Sequence, residues 1–192
     1  MSKNPRIKLQ ASWPEGIVPD RRSFKEISKS FELSFTKLMD PKNRFSVADY
    51  FGDGVGLKTS QSLFEDKYKL REDDSDFQGI YIFFIDGEPI YTGISKVILK
   101  RLQQHVKGKS HFTSSLCYKM GADYHKELSG EAHAGGREGL CFKTYSEPFK
   151  KIIKENSEVS LLPIESPIEL YLFECYVAMN ANTHYYNRFE TH

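Results

Sequence analysis

From Gly79 to Ile85 the chain reads Gly-Ile-Tyr-Ile-Phe-Phe-Ile, turns polar at Asp86-Gly87 and returns through Pro-Ile-Tyr-Thr-Gly. Apolar, aromatic and β-branched runs on either side of an Asp-Gly pair predict a β-hairpin. Side chains alternate across a strand, so loop length decides which residues share a face. A two-residue loop would pair Tyr81 with Thr92 and turn Tyr91 to the opposite face. A three-residue loop, Ile85-Asp86-Gly87 with Gly87 left-handed, would pair Tyr81 with Tyr91. That bulged turn is the expectation if both tyrosines serve one site.

The pattern then changes to helical spacing. Leu99, Leu102 and Val106 form an apolar stripe in a helix from about Lys96, for which Ser95 is a cap. Arg101 and His105, four apart, fall on one face of it. Upstream, Phe24, Ile27, Phe31, Phe35 and Leu38 predict an amphipathic helix from about Ser23 to Met39, with a second near Ser60 to Lys69. Residues 1–19 read as a Pro- and charge-rich arm whose Trp13 anchors onto the body or meets a partner, and Arg71 to Asp76 as an acidic linker. Downstream, a helix from Glu147 to Lys154 turns Phe149, Ile152 and Ile153 inward, and Val159 to Ile164 reads as a third strand. Ser166, Pro167 and Glu169 open a last helix with an N-cap, a first-turn proline and a capping box. Ile168 to Met179 is apolar almost all round, so this helix is expected to be largely buried, with Glu174 in its middle. A buried carboxylate needs a basic partner, a metal or a shifted pKa.

These elements predict an α/β fold: a three-stranded, mainly antiparallel sheet flanked by helices. Residues 1–76 form a helical N-terminal extension and 77–192 the main domain, with an insertion at about 107–142. The first half of the insertion, Phe112 to Met120, reads as helical and basic, and the second, Gly-rich half as mobile.

Composition changes this picture little. The chain has 192 residues and a net charge of +1, enough length for one good core but no overall basic signal. Distribution says more. Residues 96–126 hold seven Lys/Arg against Asp123 alone, whereas residues 71–95 hold six acids against one Arg. A basic surface beside an acidic cluster suits a site for both phosphate and a metal ion. Three cysteines without a CxxC pair argue for a reducing compartment, and no signal peptide or long apolar span is present, so a cytoplasmic location without a membrane is expected. A zinc site from Cys117, His125, His133 and Cys141 has spacings that match no standard pattern. The Gly52-Asp53-Gly54-Val55-Gly56 run lacks the Gly-Lys-Ser/Thr ending of a phosphate loop and reads as a flexible turn.

Gly79-Ile80-Tyr81 and Tyr91-Thr92-Gly93 resemble the paired tripeptides of the GIY-YIG nucleases. Arg101, ten residues after Tyr91, Glu174 in Ile-Glu-Leu-Tyr-Leu-Phe-Glu-Cys-Tyr and Asn187 in Tyr-Tyr-Asn-Arg-Phe complete the order of that family's residues. The resemblance spans residues 77–188. His105, four after the arginine, resembles the restriction-enzyme branch. Two features depart from the family pattern: Glu174 and Asn187 are one residue further apart than expected, and Ile94 stands where repair-type members often have lysine.

The resemblance implies a metal-dependent endonuclease acting on double-stranded DNA, restriction-like and a homodimer if it cuts both strands. Nicking or repair of branched DNA, and a binding module with a decayed site, are the alternatives; RNA is not excluded. Glu174 would hold Mg²⁺, with Mn²⁺ a possible substitute, because one carboxylate plus waters and phosphate oxygens suits a hard cation. Arg101 would clamp a phosphate oxygen. The resemblance implies Tyr81 as base, helped by Tyr91 and His105; His105 as base with Tyr81 orienting stays open, since imidazole needs no pKa shift at neutral pH. Asn187 fixes the last helix or bonds near the metal. Lys96, Lys100, Lys107, Lys109 and Lys119 are candidate DNA contacts.

Overall fold

The computed structural model describes residues 22–68 and 76–187; the arm with Trp13 and most of the acidic linker lie outside the described residues. Among them four strands, not three, form one sheet: β1 (Arg44–Ser46), β2 (Gly79–Ile85), β3 (Glu88–Ser95) and β4 (Ser157–Pro163). Their order is β1-β4-β2-β3, and every neighbouring pair is antiparallel rather than mainly so. The extra strand comes from the segment expected to be a helical extension, where Phe45 pairs with Val159. Three residues carry no periodicity; the open edge of β4 recruits them.

β2 lies at the centre. Ile80, Ile82 and Phe84 fill one face and Tyr81 and Phe83 the other, all at most 1% exposed. A strand buried on both sides needs no polar alternation. Burying each such side chain stabilises by about 1.5–3 kcal/mol.

The helix expected over 23–39 is broken into α1 (Phe24–Ile27), a 3₁₀ turn at Ser28–Ser30 and α2 (Phe31–Met39), with Ser23 and Glu26 forming a capping box. After β1 come α3 (Val47–Phe51) and α4 (Leu57–Tyr68). The glycine turn between them is tied down by the Asp53–Lys154 ion pair at 2.8 Å and by Gln103, which donates to the Val55 carbonyl at 3.2 Å. α5 (Ile98–Lys107) buries the expected Leu99, Leu102 and Val106. Its cap is not Ser95 but Asp76, whose carboxylate accepts from Leu99 N–H at 2.9 Å and Lys100 N–H at 3.0 Å.

The insertion is structured well beyond Met120. α6 (Ser115–Ser129) starts on the Ser114 cap and ends at left-handed Gly130, and α7 (Gly136–Gly139) follows. Buried His111 anchors it, with Nδ1 2.7 Å from Ser146 Oγ and Nε2 2.7 Å from the Leu140 carbonyl. A π-helical turn, Phe142–Ser146, leads into α8 (Glu147–Asn156). There Ile152 is exposed, contrary to its apolar character, and Lys150 is buried instead. The reason is local. Lys150 Nζ donates to the carbonyls of Gln104 (2.9 Å) and His105 (2.7 Å) at the end of α5, where a cation suits the open carbonyls.

α9 (Pro167–Asn180) begins on the Ser166 cap as expected, but it is not buried all round. Leu170, Phe173, Val177 and Ala178 face inward, while Ile168, Tyr171 and Met179 are exposed. α1, α2 and α9 cover the Ile80/Ile82/Phe84 face, and α3, α4, α5, α6 and α8 the Tyr81/Phe83 face.

Candidate active site

The hairpin closes through two residues, not three. Ile85 pairs with Glu88, and Asp86 and Gly87 have φ of 52° and 82°, the positive values of a type I′ turn. Taken alone, this turn would separate the tyrosines. A bulge restores them: Phe84 pairs with Pro89 but Phe83 with Tyr91, so Ile90 is the extra residue. Pro89 has no N–H for the ladder, and a ladder irregularity beside it costs little. Beyond the bulge Tyr81 pairs with Gly93, and Tyr81 and Tyr91 are diagonal neighbours on one face, ring centroids 6.2 Å apart. A Cβ on Gly93 would lie 2.3 Å from Cζ and Oη of Tyr81, so the ring occupies the space that glycine leaves.

Tyr81 Oη is 2.7 Å from His105 Nε2, and His105 Nδ1 is 2.9 Å from Ser114 Oγ. Ser114 also accepts the Cys117 N–H at 3.2 Å as the cap of α6. Arg101 is near enough to act on the Tyr81 phenol, and a phenol that donates to His105 Nε2 leaves its oxygen lone pairs turned to that cation. His105 then carries its own proton on Nδ1, facing Ser114. Tyr91 is partly exposed, Tyr81 and His105 are closed off, and Ser114 is 0% exposed. A buried run of hydrogen bonds thus joins Tyr81, His105 and Ser114, with Tyr91 between it and the surface.

Electrostatics set the resting state. Burial, with Tyr91 beside it, pushes the Tyr81 phenol well above its usual range, against Arg101. Burial also raises Tyr91, opposed by Arg101 and reinforced by Glu174. Burial, Arg101 and Lys150 hold His105 well below the ordinary imidazole value. Lys150 itself is lowered to about 8 by burial. Both phenols and the imidazole are therefore neutral at pH 7.

Glu174 joins from the opposite helix layer. α9 contacts the edge strand β3, and the Glu174 carboxylate acts on both tyrosines. It is half-buried, no described residue gives it a hydrogen bond or ion pair, and burial raises it to about 7. A carboxylate so placed is stabilised by a cation. Among the described residues no three His, Cys, Asp or Glu side chains gather, so a cation at Glu174 would take its other ligands from water and substrate. The residues weighed for zinc stay apart from such a cluster: Cys117 is buried, Cys141 is exposed, and His125 and His133 stack edge-on at 5.4 Å.

Asn187 spends both ends of its amide on Thr92, accepting its N–H at 3.0 Å and donating to its carbonyl. Thr92 Oγ1 also lies 2.8 Å from Thr183 Oγ1. The C-terminal turn thereby covers the open edge of β3 between Tyr91 and Gly93. Of the candidate DNA-contacting lysines, Lys96, Lys100 and Lys109 are exposed. Lys107 and Lys119 donate to the carbonyls of Val55 and Tyr186. Sequence reasoning missed Ser114, Lys150 and Asp76. Each acts on an element distant in sequence, and only Ser114, a serine ahead of a helical run, carries a local signal.

Residues 77–156 match the family model of the GIY-YIG catalytic domain. The match supports the GIY-YIG superfamily and a nuclease-type fold; it includes the hairpin, Arg101, His105 and the insertion, and ends before Glu174 and Asn187. No curated protein and no solved structure matches the chain significantly. Among the described residues no helix is long and apolar enough to cross a membrane.

Proposed function

We propose that the protein is a Mg²⁺-dependent endonuclease that hydrolyses phosphodiester bonds of double-stranded DNA in the cytoplasm, with restriction-like sequence specificity and as a homodimer when both strands are cut. The observation that carries this reading is the convergence of Tyr81, Tyr91, Arg101 and His105 at the edge of one sheet with Glu174, a carboxylate that has no partner among the described residues. In that arrangement Tyr81 takes a proton from the attacking water while its own proton passes to His105 Nε2. His105 is neutral at rest and so able to receive it. Two neighbouring cations oppose the imidazolium that forms, and the arriving phosphate beside Arg101 offsets them. Tyr81 and His105 are both closed off, at 1% and 0% exposed, so Tyr81 is taken as the base on the family resemblance, with His105 as base the second reading.

Arg101 binds a non-bridging phosphate oxygen, and Ser114 holds the His105 ring. Glu174 would hold the cation, Mn²⁺ serving as a substitute, and Asn187 keeps the edge of β3 in place. When bound, the metal supplies charge neutralisation at the phosphate and the leaving oxygen.

The test is supercoiled plasmid incubated with Mg²⁺ or EDTA, beside Glu174→Ala. Discrete bands requiring both Mg²⁺ and Glu174 are expected. Open circles alone would replace restriction by nicking or repair, and a gel shift without cleavage would replace the enzyme by a binding module.

A further inference from the structure

The insertion forms a concavity of about 530 Å³ between α6, α7 and the C-terminal turn. Among the described residues its wall carries Lys119, Lys126 and Arg137 with one carboxylate, Asp123. Tyr185, 63% exposed, stands on the same wall with its hydroxyl 3.1 Å from Asp123 Oδ2. Arg137 donates to Ser115 Oγ at 3.0 Å and sits 5.3 Å above the Tyr118 ring, but has no carboxylate partner among the described residues. Lys126 likewise has none. Among the described residues Lys126 and Arg137 line this concavity without a carboxylate partner and Asp123 is the one acid beside them, a positive balance that selects a phosphate-bearing ligand.

The pocket is joined to the active site by a short chain of bonds. Lys119 donates to the Tyr186 carbonyl, and the next residue, Asn187, grips Thr92 between Tyr91 and Gly93. Arg137 is also near enough to act on the Tyr91 phenol. The platform is preorganised: His111 pins the base of the insertion, and a Cβ on Gly121 would meet the Tyr145 carbonyl at 2.3 Å, so α6 lies close against its neighbour.

From this we infer that the pocket is a nucleotide subsite of the nuclease: it takes one nucleotide of the substrate strand outside the scissile bond, its phosphate against Lys126 and Arg137 and its base against the Tyr185 ring. The inference rests on the nuclease reading above. A confined cationic groove with an exposed aromatic ring is how a single strand is held, the ring accepting any base face. The insertion therefore sets substrate affinity.

The test measures binding of a mixed-sequence DNA duplex and of one of its strands in EDTA, and KM and kcat for cleavage in Mg²⁺. Lys126→Ala and Arg137→Ala are each expected to raise Kd and KM about tenfold, with the salt slope of binding falling by about one per cation removed. Tyr185→Ala is expected to weaken the single strand about tenfold and the duplex less. Lys37→Ala, an exposed cation on α2, is the control and leaves both within about twofold. Lys126→Ala removes no bond of the fold, so its effect does not depend on whether Arg137→Ala loosens α7. Wild-type cleavage with KM unchanged in Lys126→Ala and Arg137→Ala overturns the subsite alone. Wild-type protein that neither binds nor cuts DNA overturns the nuclease reading and the subsite with it.

Discussion

His105 and His111 lie six residues apart, both are buried, and both have each ring nitrogen in a hydrogen bond. Their partners differ in kind. His111 Nε2 faces the Leu140 carbonyl, which only accepts, so the neutral ring must carry its proton there and take one from Ser146 at Nδ1. Its tautomer is fixed, and it staples the insertion. His105 faces two hydroxyls, Tyr81 and Ser114, each able to donate or accept. A proton can enter at one nitrogen without leaving the ring unbonded. Burial and hydrogen-bond count do not separate a structural histidine from a working one; the chemistry of the partners does.

The largest break in this comparison comes from deleting each ring. His105→Ala is expected to lower cleavage about 10²–10⁴-fold and, by leaving the Tyr81 and Ser114 hydroxyls unpaired in the core, to cost about 2–4 kcal/mol as well. His111→Ala leaves a carbonyl and a hydroxyl buried without partners and is expected to cost about 2–4 kcal/mol in a denaturant titration, with cleavage retained at low temperature. Equal effects on activity, measured where both variants remain folded, would erase the distinction.

Acid titration separates His105 from Glu174. His105 is held neutral through pH 7 and below, whereas Glu174 gains its proton as pH falls through about 7. A protonated carboxyl cannot bind a cation, so the Mg²⁺ concentration for half-maximal cleavage is expected to rise about tenfold per pH unit below that point. An acid limb that does not move with Mg²⁺ would instead belong to His105.

Ser114→Ala tests the inner hydroxyl. Losing one buried hydrogen bond to the ring is expected to lower kcat about tenfold. Ser114→Thr keeps the hydroxyl and the helix cap and is expected to restore it. A Ser114→Ala enzyme that loses stability but keeps its kcat and pH profile would make Ser114 a cap and nothing more.

The smallest effect is on stability. Glu174 has a raised pKa in the folded state, so its contribution is favourable below the unfolded value of about 4.3 and is lost as pH rises through about 7. Glu174→Gln removes that penalty. The variant is expected to be more stable than wild type by about 1–2 kcal/mol above pH 7, solvent screening having reduced the effect, and no more stable near pH 4. Equal denaturant midpoints at pH 8 would mean that the carboxylate already has a partner.

The central strand, α5 and its Arg101/His105 face, the Ser166 cap and the last helix were legible because each is written in local periodicity or in a cap at fixed offset. Three features were not. The bulge at Ile90 depends on Pro89 meeting a neighbouring strand, and the turn residues alone imply the opposite face for Tyr91. β1 exists because β4 offers an edge. The solvent-facing side of α9 looks no different in sequence from its core side, since Ile168, Tyr171 and Met179 are as apolar as Leu170 and Phe173.

By itself the sequence determined the hairpin and its two glycine-tyrosine motifs, the helix that carries arginine and histidine together, and a lone carboxylate in an apolar run. Only the tertiary structure decided that Tyr81 and Tyr91 share a face, that Ser114 stands behind His105, that Lys150 turns inward and that Glu174 has no hydrogen-bond or ion-pair partner among the described residues. Side-chain type and spacing along one element are local quantities. Which hydroxyl, carbonyl or charge a group meets across the core is set by the packing of elements far apart in the chain, and that contact fixes where each proton resides.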